Sequence, residues 1–145
     1  MSKSKKVPLS CLHLALDGYE CNQGRLGQED LIYEFLDSCP GLVNMTVTTP
    51  PYSFKYRAKV SEDWGISGFV LAAEKYVEGN QIKFRGEGYI SIHIYPGRAY
   101  LSLDIFFKKE FNPKPIADYV TKLFDIGRIK ENLSSSDEEP PDLVA

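Results

Sequence analysis

Gly65-Ile66-Ser67-Gly68-Phe69-Val70-Leu71-Ala72-Ala73, Tyr89-Ile90-Ser91-Ile92-His93-Ile94-Tyr95 and Ala99-Tyr100-Leu101-Ser102-Leu103-Asp104-Ile105-Phe106-Phe107 are three β-like runs within residues 64–107, and their pattern decides the fold. In the second run Ile90, Ile92 and Ile94 alternate with Tyr89, Ser91, His93 and Tyr95, so a strand there has one aliphatic face and one bearing hydroxyls and an imidazole. The third run repeats the scheme, with Leu101, Leu103 and Ile105 opposing Tyr100, Ser102 and Asp104. Pro96-Gly97-Arg98 between them is short enough for a hairpin. Neighbouring strands therefore share one apolar face and one polar, aromatic face.

Between the first two runs, residues 74–87 are polar and contain the turn signal Glu78-Gly79-Asn80, which predicts a hairpin returning through residues 81–85. Upstream, residues 9–16 alternate as a first strand, with Leu12, Leu14 and Leu16 on one face and Cys11, His13 and Ala15 on the other. A connection over 18–27 leads to an amphipathic helix over 28–38, whose buried stripe is Leu31, Phe35 and Leu36 and which Cys39-Pro40-Gly41 stops. Residues 42–48 predict a second strand, ended by Thr49-Pro50-Pro51 because proline cannot donate to a ladder. Residues 52–60 alternate aromatic and basic side chains (Phe54, Lys55, Tyr56, Arg57), the pattern of an amphipathic edge strand; stacking on nucleic acid is the weaker alternative in an acidic protein.

Downstream, Pro113 suits the first turn of a second helix running to about Phe124, with Ile116, Tyr119, Val120 and Leu123 at helical spacing. Residues 127–131 predict a short last strand. From Asn132 the chain is acidic, Ser- and Pro-rich and almost without apolar residues until Leu143, too little to offset its ordering entropy. Residues 132–145 are thus expected to be a disordered acidic tail whose deletion leaves thermal stability almost unchanged. Residues 1–8, with Lys3, Lys5 and Lys6, are expected to be a flexible N-terminus.

This order predicts an α+β two-layer sandwich over residues 9–131, a mainly antiparallel sheet with two helices on its aliphatic face. The opposite face, with Ser67, Tyr89, Ser91, His93, Tyr95, Tyr100, Ser102 and Asp104, is too aromatic to be simply wet. A ligand surface, a subunit interface or both would account for it.

Composition narrows the function. At 145 residues, 43% hydrophobic and 26% charged, the chain fits one ordinary globular domain. A net charge of −3 leaves no electrostatic footprint for nucleic acid or an anionic membrane. No run approaches the roughly 18 apolar residues of a membrane span, and the N-terminus lacks a signal-peptide core, so a cytoplasmic location is expected. Cys11, Cys21 and Cys39 are odd in number and lack metal-ligand spacing, which argues against a disulfide framework and a metal site; they read as small, reduced, buried residues.

Ile66-Ser67-Gly68 followed by a hydrophobic strand, then Ser91-Ile92-His93-Ile94-Tyr95-Pro96, then Leu103-Asp104-Ile105-Phe106, resembles the prokaryotic S-adenosylmethionine decarboxylases. That family reads approximately G-V-S-G-V-V-V-I-x-E-S-H-L-x-I-H-T-W-P-E, with L-D-x-F-x-C after it. Leu12-His13-Leu14 and Asp17-Gly18-Tyr19-Glu20-Cys21 are similar to its opening H-L-x-x-D-x-Y-x-C strand, and residues 31–36 to its first helix, so the resemblance runs in order from Cys11 to Phe124. It implies a dimer with substrate bound near the sheet junction. It also implies an electron sink made from the backbone: a serine hydroxyl attacks the preceding carbonyl, usually a glutamate's, the ester eliminates, and the serine becomes a pyruvoyl cap.

The sequence departs from that pattern. Counted forward from Gly68, the family's E-S pair falls on Glu74 and Lys75; counted backward from His93, it falls on Glu87 and Gly88. Both placements keep the glutamate and lose the serine, so no pyruvoyl group is expected. Phe107 and Lys108 surround the position of the family's proton-donor cysteine, and Gly97 replaces the glutamate after W-P. Ser67 and His93 match the family's processing serine and histidine and are the candidate catalytic residues. Tyr89, Ser91, Tyr95, Asp104, Glu74 and Glu87 are candidate ligand contacts, Asp104 for an ammonium or sulfonium charge. Each also has a plain structural reading: Ser67 satisfying local backbone, His93 hydrogen-bonded on a sheet face, Asp104 paired with a cation, and both glutamates solvated on a hairpin.

Three functions fit. The first is a non-processing relative that binds S-adenosylmethionine or a polyamine-pathway metabolite, as a homodimer or as a regulatory heterodimer with an active relative. The second is an enzyme consuming S-adenosylmethionine by another electron sink, for instance a Schiff base at Lys75, for which no cofactor motif is present. The third is a structural module that keeps only the fold.

Overall fold

The computed structural model describes residues 11–57 and 64–136. The chain runs β1 (Cys11–Tyr19), α1 (Gln23–Leu26), α2 (Glu29–Ser38), β2 (Thr46–Val47), β3 (Tyr52–Arg57), β4 (Trp64–Glu78), β5 (Gln81–Tyr95), β6 (Tyr100–Phe107), α3 (Lys114–Phe124) and β7 (Arg128–Ser136). The strands form one sheet in the order β2-β4-β5-β6-β1-β7, with β3 also pairing β4, and every pairing is antiparallel. Helices and sheet make the expected α+β two-layer sandwich.

Alternation along the central strands sets the core. Leu14 and Leu16 of β1, Ile90, Ile92 and Ile94 of β5, and Leu101, Leu103 and Ile105 of β6 are all buried. Ile32, Phe35 and Leu36 of α2 and Ile116, Val120 and Phe124 of α3 close over them. Burying one such side chain stabilises the fold by roughly 1.5–3 kcal/mol, so the two amphipathic helix faces determine which sheet face is covered.

The turn at Gly79-Asn80 joins β4 and β5 into a long hairpin, as the polar insertion predicts. Its ladder is interrupted between Ala72 and Glu74, where Gly86, with φ of 68°, supplies the left-handed residue of a bulge. The Lys108 N–H donates at 3.3 Å to the carbonyls of both Gly86 and Glu87, tying the bulge to the end of β6.

Three expectations are corrected. A one-turn helix, α1, occupies part of the predicted 18–27 connection, capped by the Asn22 side chain accepting from the Arg25 N–H. The strand expected over 42–48 shrinks to Thr46–Val47, because Pro40–Val43 continue as a 3-10 turn that ends at Asn44 in the left-handed region. The tail expected to be disordered from Asn132 is a strand as far as Ser136, paired with β1 opposite Cys11 to Ala15. Asn132, Ser134 and Ser135 are exposed, while the strand's backbone satisfies an otherwise open sheet edge. The expected termini at 1–8 and beyond Ser136, and the end of the 52–60 strand after Arg57, lie outside the described residues.

Candidate functional site

The sheet face that no described helix covers carries two aromatic ladders with a polar stripe between them. One ladder runs Tyr52, Phe69, Tyr89, Phe106, with successive ring centroids 6.0 Å apart. The other runs Tyr56, Tyr95, Tyr100, Tyr19, at 6.5, 6.1 and 5.4 Å, and the Tyr56 hydroxyl donates to that of Tyr95 at 3.0 Å. Strand register creates both, since side chains of one parity on neighbouring antiparallel strands stand side by side.

Between the ladders, the Ser67 Oγ lies 2.8 Å from His93 Nδ1, and the Ser91 Oγ 3.3 Å from His93 Nε2. The imidazole of His93 thus bridges the two serine hydroxyls, each of which can donate or accept. The pair Ser67↔His93 is directly opposite across β4 and β5, which is why a strand-entrance serine and a mid-strand histidine meet. The carboxylate beside this cluster, Asp104, is held by His13 of β1 through Nε2. Asp17 accepts from the Tyr100 hydroxyl at 2.6 Å.

Burial, and then that bond to the Asp17 carboxylate, push the Tyr100 phenol up to about 12 from 10.0. The folded state therefore holds a proton that the unfolded chain releases first, so this contribution to stability is complete below pH 10 and is lost as pH rises to about 12. Tyr100→Phe is expected to flatten that alkaline loss in denaturant melts compared at pH 8 and pH 11; a wild-type slope in the variant would contradict it.

At one end of the face a cleft of about 370 Å³ opens beside the bulge, lined by Thr48, Leu71, Ala72, Glu87, Gly88, Tyr89, Phe106 and Lys108. Gly88 is forced by close approach: a Cβ there would lie 1.8 Å from the carbonyl oxygen of Phe106. Burial, and secondarily the charge of Asp104, raise the Tyr89 phenol, which stays a neutral hydrogen-bonding group.

The candidate residues thus divide. Glu87 and Tyr89 line the cleft; Ser67, Ser91 and His93 form the serine–histidine cluster, with His93 about 13 Å along β5 from Tyr89. Tyr95 belongs to the second ladder. Glu74 is drawn away to Arg85 and Lys109, at 3.4 and 3.7 Å, and the Arg85 hydrogen bond leads in holding its carboxyl below the usual range. Thr48, Leu71 and Phe106 as cleft residues, and separately the His13–Asp104 contact, escape the sequence pattern, because each depends on how distant strands pair. Cys11, Cys21 and Cys39 are buried and outside any disulfide, and burial raises the Cys21 thiol to about 11.

Residues 12–135 match the family model described as S-adenosylmethionine decarboxylase. The chain is 26% identical to the S-adenosylmethionine decarboxylase proenzyme of Thermococcus kodakarensis, over 87% of this chain and 79% of that protein. Its identity to the proenzyme of Pyrococcus abyssi is also 26%, over 87% of this chain and 81% of the other. In fold it is similar to the crystal structure of the adenosylmethionine decarboxylase from Aquifex aeolicus, with a TM-score of 0.62 and 19% identity, covering 96% of this chain and all of that one.

Proposed function

The chain belongs to the S-adenosylmethionine decarboxylase family, and from that premise we propose that it is a non-processing member, which binds S-adenosylmethionine or a related polyamine-pathway metabolite without making a pyruvoyl group. The observation that carries this reading is the surroundings of Gly88. Ester formation needs a β-hydroxyl or thiol next to the scissile carbonyl. Gly88 has neither, and its packing against the Phe106 carbonyl leaves no room for one. The other placement, Lys75, sits opposite Phe84 on the hairpin, and its amine is too far along its stem for the five-membered step. The residues of the chain therefore do not fit the group.

What they fit is binding. The cleft offers aromatic walls and both signs of charge, and the Ser67–His93–Ser91 cluster shapes the face beside it. The aromatic ladders also suit burial against a second copy or an active relative, and a cytoplasmic location accords with this role.

Mass spectrometry tests the reading. Under denaturing conditions one chain of 16.4 kDa is expected, and under native conditions at tens of micromolar, a dimer. Two fragments dividing between Glu74 and Ser91, the later one with a keto-acyl N-terminus, would restore an active decarboxylase. A monomer would remove the homodimer.

A further inference from the structure

We propose that Lys108 makes the cleft beside Gly88 selective for a ligand that still carries its α-carboxylate, so that the protein retains an intact amino acid and discriminates against its decarboxylated form. This deepens, and rests on, the reading that the chain binds S-adenosylmethionine without turnover.

Two adjacent lysines at the end of β6 have different fates. The Lys109 ammonium donates to the Val43 carbonyl at 3.3 Å and pairs with Glu74. Lys108 lines the cleft and forms no ion pair with a described residue. Glu87 lines the same cleft and likewise forms no ion pair with a described residue, so one acidic and one basic residue line one concavity without pairing with each other. They are also held by one device, because the Lys108 N–H bonds the carbonyls of Gly86 and Glu87.

An α-amino acid head group presents one carboxylate and one ammonium, the complement of Lys108 and Glu87. The aromatic side chains of Tyr89 and Phe106 in the same lining suit a sulfonium or an aromatic base. The same arrangement explains retention. Loss of carbon dioxide moves negative charge from the carboxylate to the α-carbon, so a cation on the carboxylate stabilises the ground state more than the transition state. Lys108 thus favours holding the acid group over releasing it.

Calorimetric titration with S-adenosylmethionine and with decarboxylated S-adenosylmethionine tests this. Wild type is expected to bind the carboxylated form about tenfold more tightly, the size of one charge-assisted contact in a partly exposed site. K108M should bind both forms alike, at the affinity of the decarboxylated one, while K108R keeps most of the preference. E87Q should weaken both equally, since both keep the amine. Melting curves of each variant confirm folding. Equal affinity of wild type for the two ligands, or an unchanged preference in K108M, would overturn the role of Lys108 and leave the binding reading standing. No binding of either ligand would overturn both.

Discussion

Replacing Gly88 by serine, which writes a Glu-Ser pair into the chain at Glu87, one of the two placements of the family's junction, is expected to destabilise the protein and to leave it uncleaved. The new Cβ would sit 1.8 Å from the Phe106 carbonyl oxygen and 2.7 Å from a Phe107 ring carbon. The first contact is with backbone, which no rotamer change relieves, so β5 and β6 must separate where they pair Gly88 with Phe107. Overpacking of this kind costs about 3 kcal/mol, or about 10 °C of melting temperature for a domain of this size. Gly88→Ala should lose nearly as much, because the Cβ is responsible and not the hydroxyl. Both variants should remain one chain by intact mass. A Gly88→Ser protein that melts with wild type would refute the close approach, and one that splits into two chains would show that only the missing hydroxyl prevents processing.

Removing residues 132–145 is expected to lower stability, against the expectation from composition. Asn132 to Ser136 pair with β1, and without them Cys11 to Ala15 become an open sheet edge. Losing several ladder hydrogen bonds at roughly 0.5–1.5 kcal/mol each, partly offset by the entropy of freeing the segment, leaves a loss of about 2 kcal/mol. The melting temperature should fall by about 6 °C relative to a chain ending at Ser136. The shortened protein should also aggregate more readily, since exposed strand edges template pairing. Coincident melting of the two chains would show that the outer half of β7 contributes nothing.

Local pattern in the sequence determined the sandwich. Period-two alternation in residues 89–107 and helical periodicity in residues 28–38 and 113–124 place aliphatic side chains on one face of each element, and burying those faces together leaves little choice of architecture. The aromatic face, the Gly79 turn and the absence of a hydroxyl at Gly88 and Lys75 were legible for the same reason: each is a property of one residue or one strand. Only the tertiary structure decided what depends on pairing between distant segments. That β7 closes the β1 edge is a matter of backbone hydrogen bonds, to which the polarity of Ser134 and Ser135 is indifferent. That His93 holds Ser67, that Asp104 turns to His13, and that Lys108 meets Glu87 across a bulge follow from strand register. Register is set by the whole packed sheet, and a one-residue slip would send each of these side chains to the opposite face.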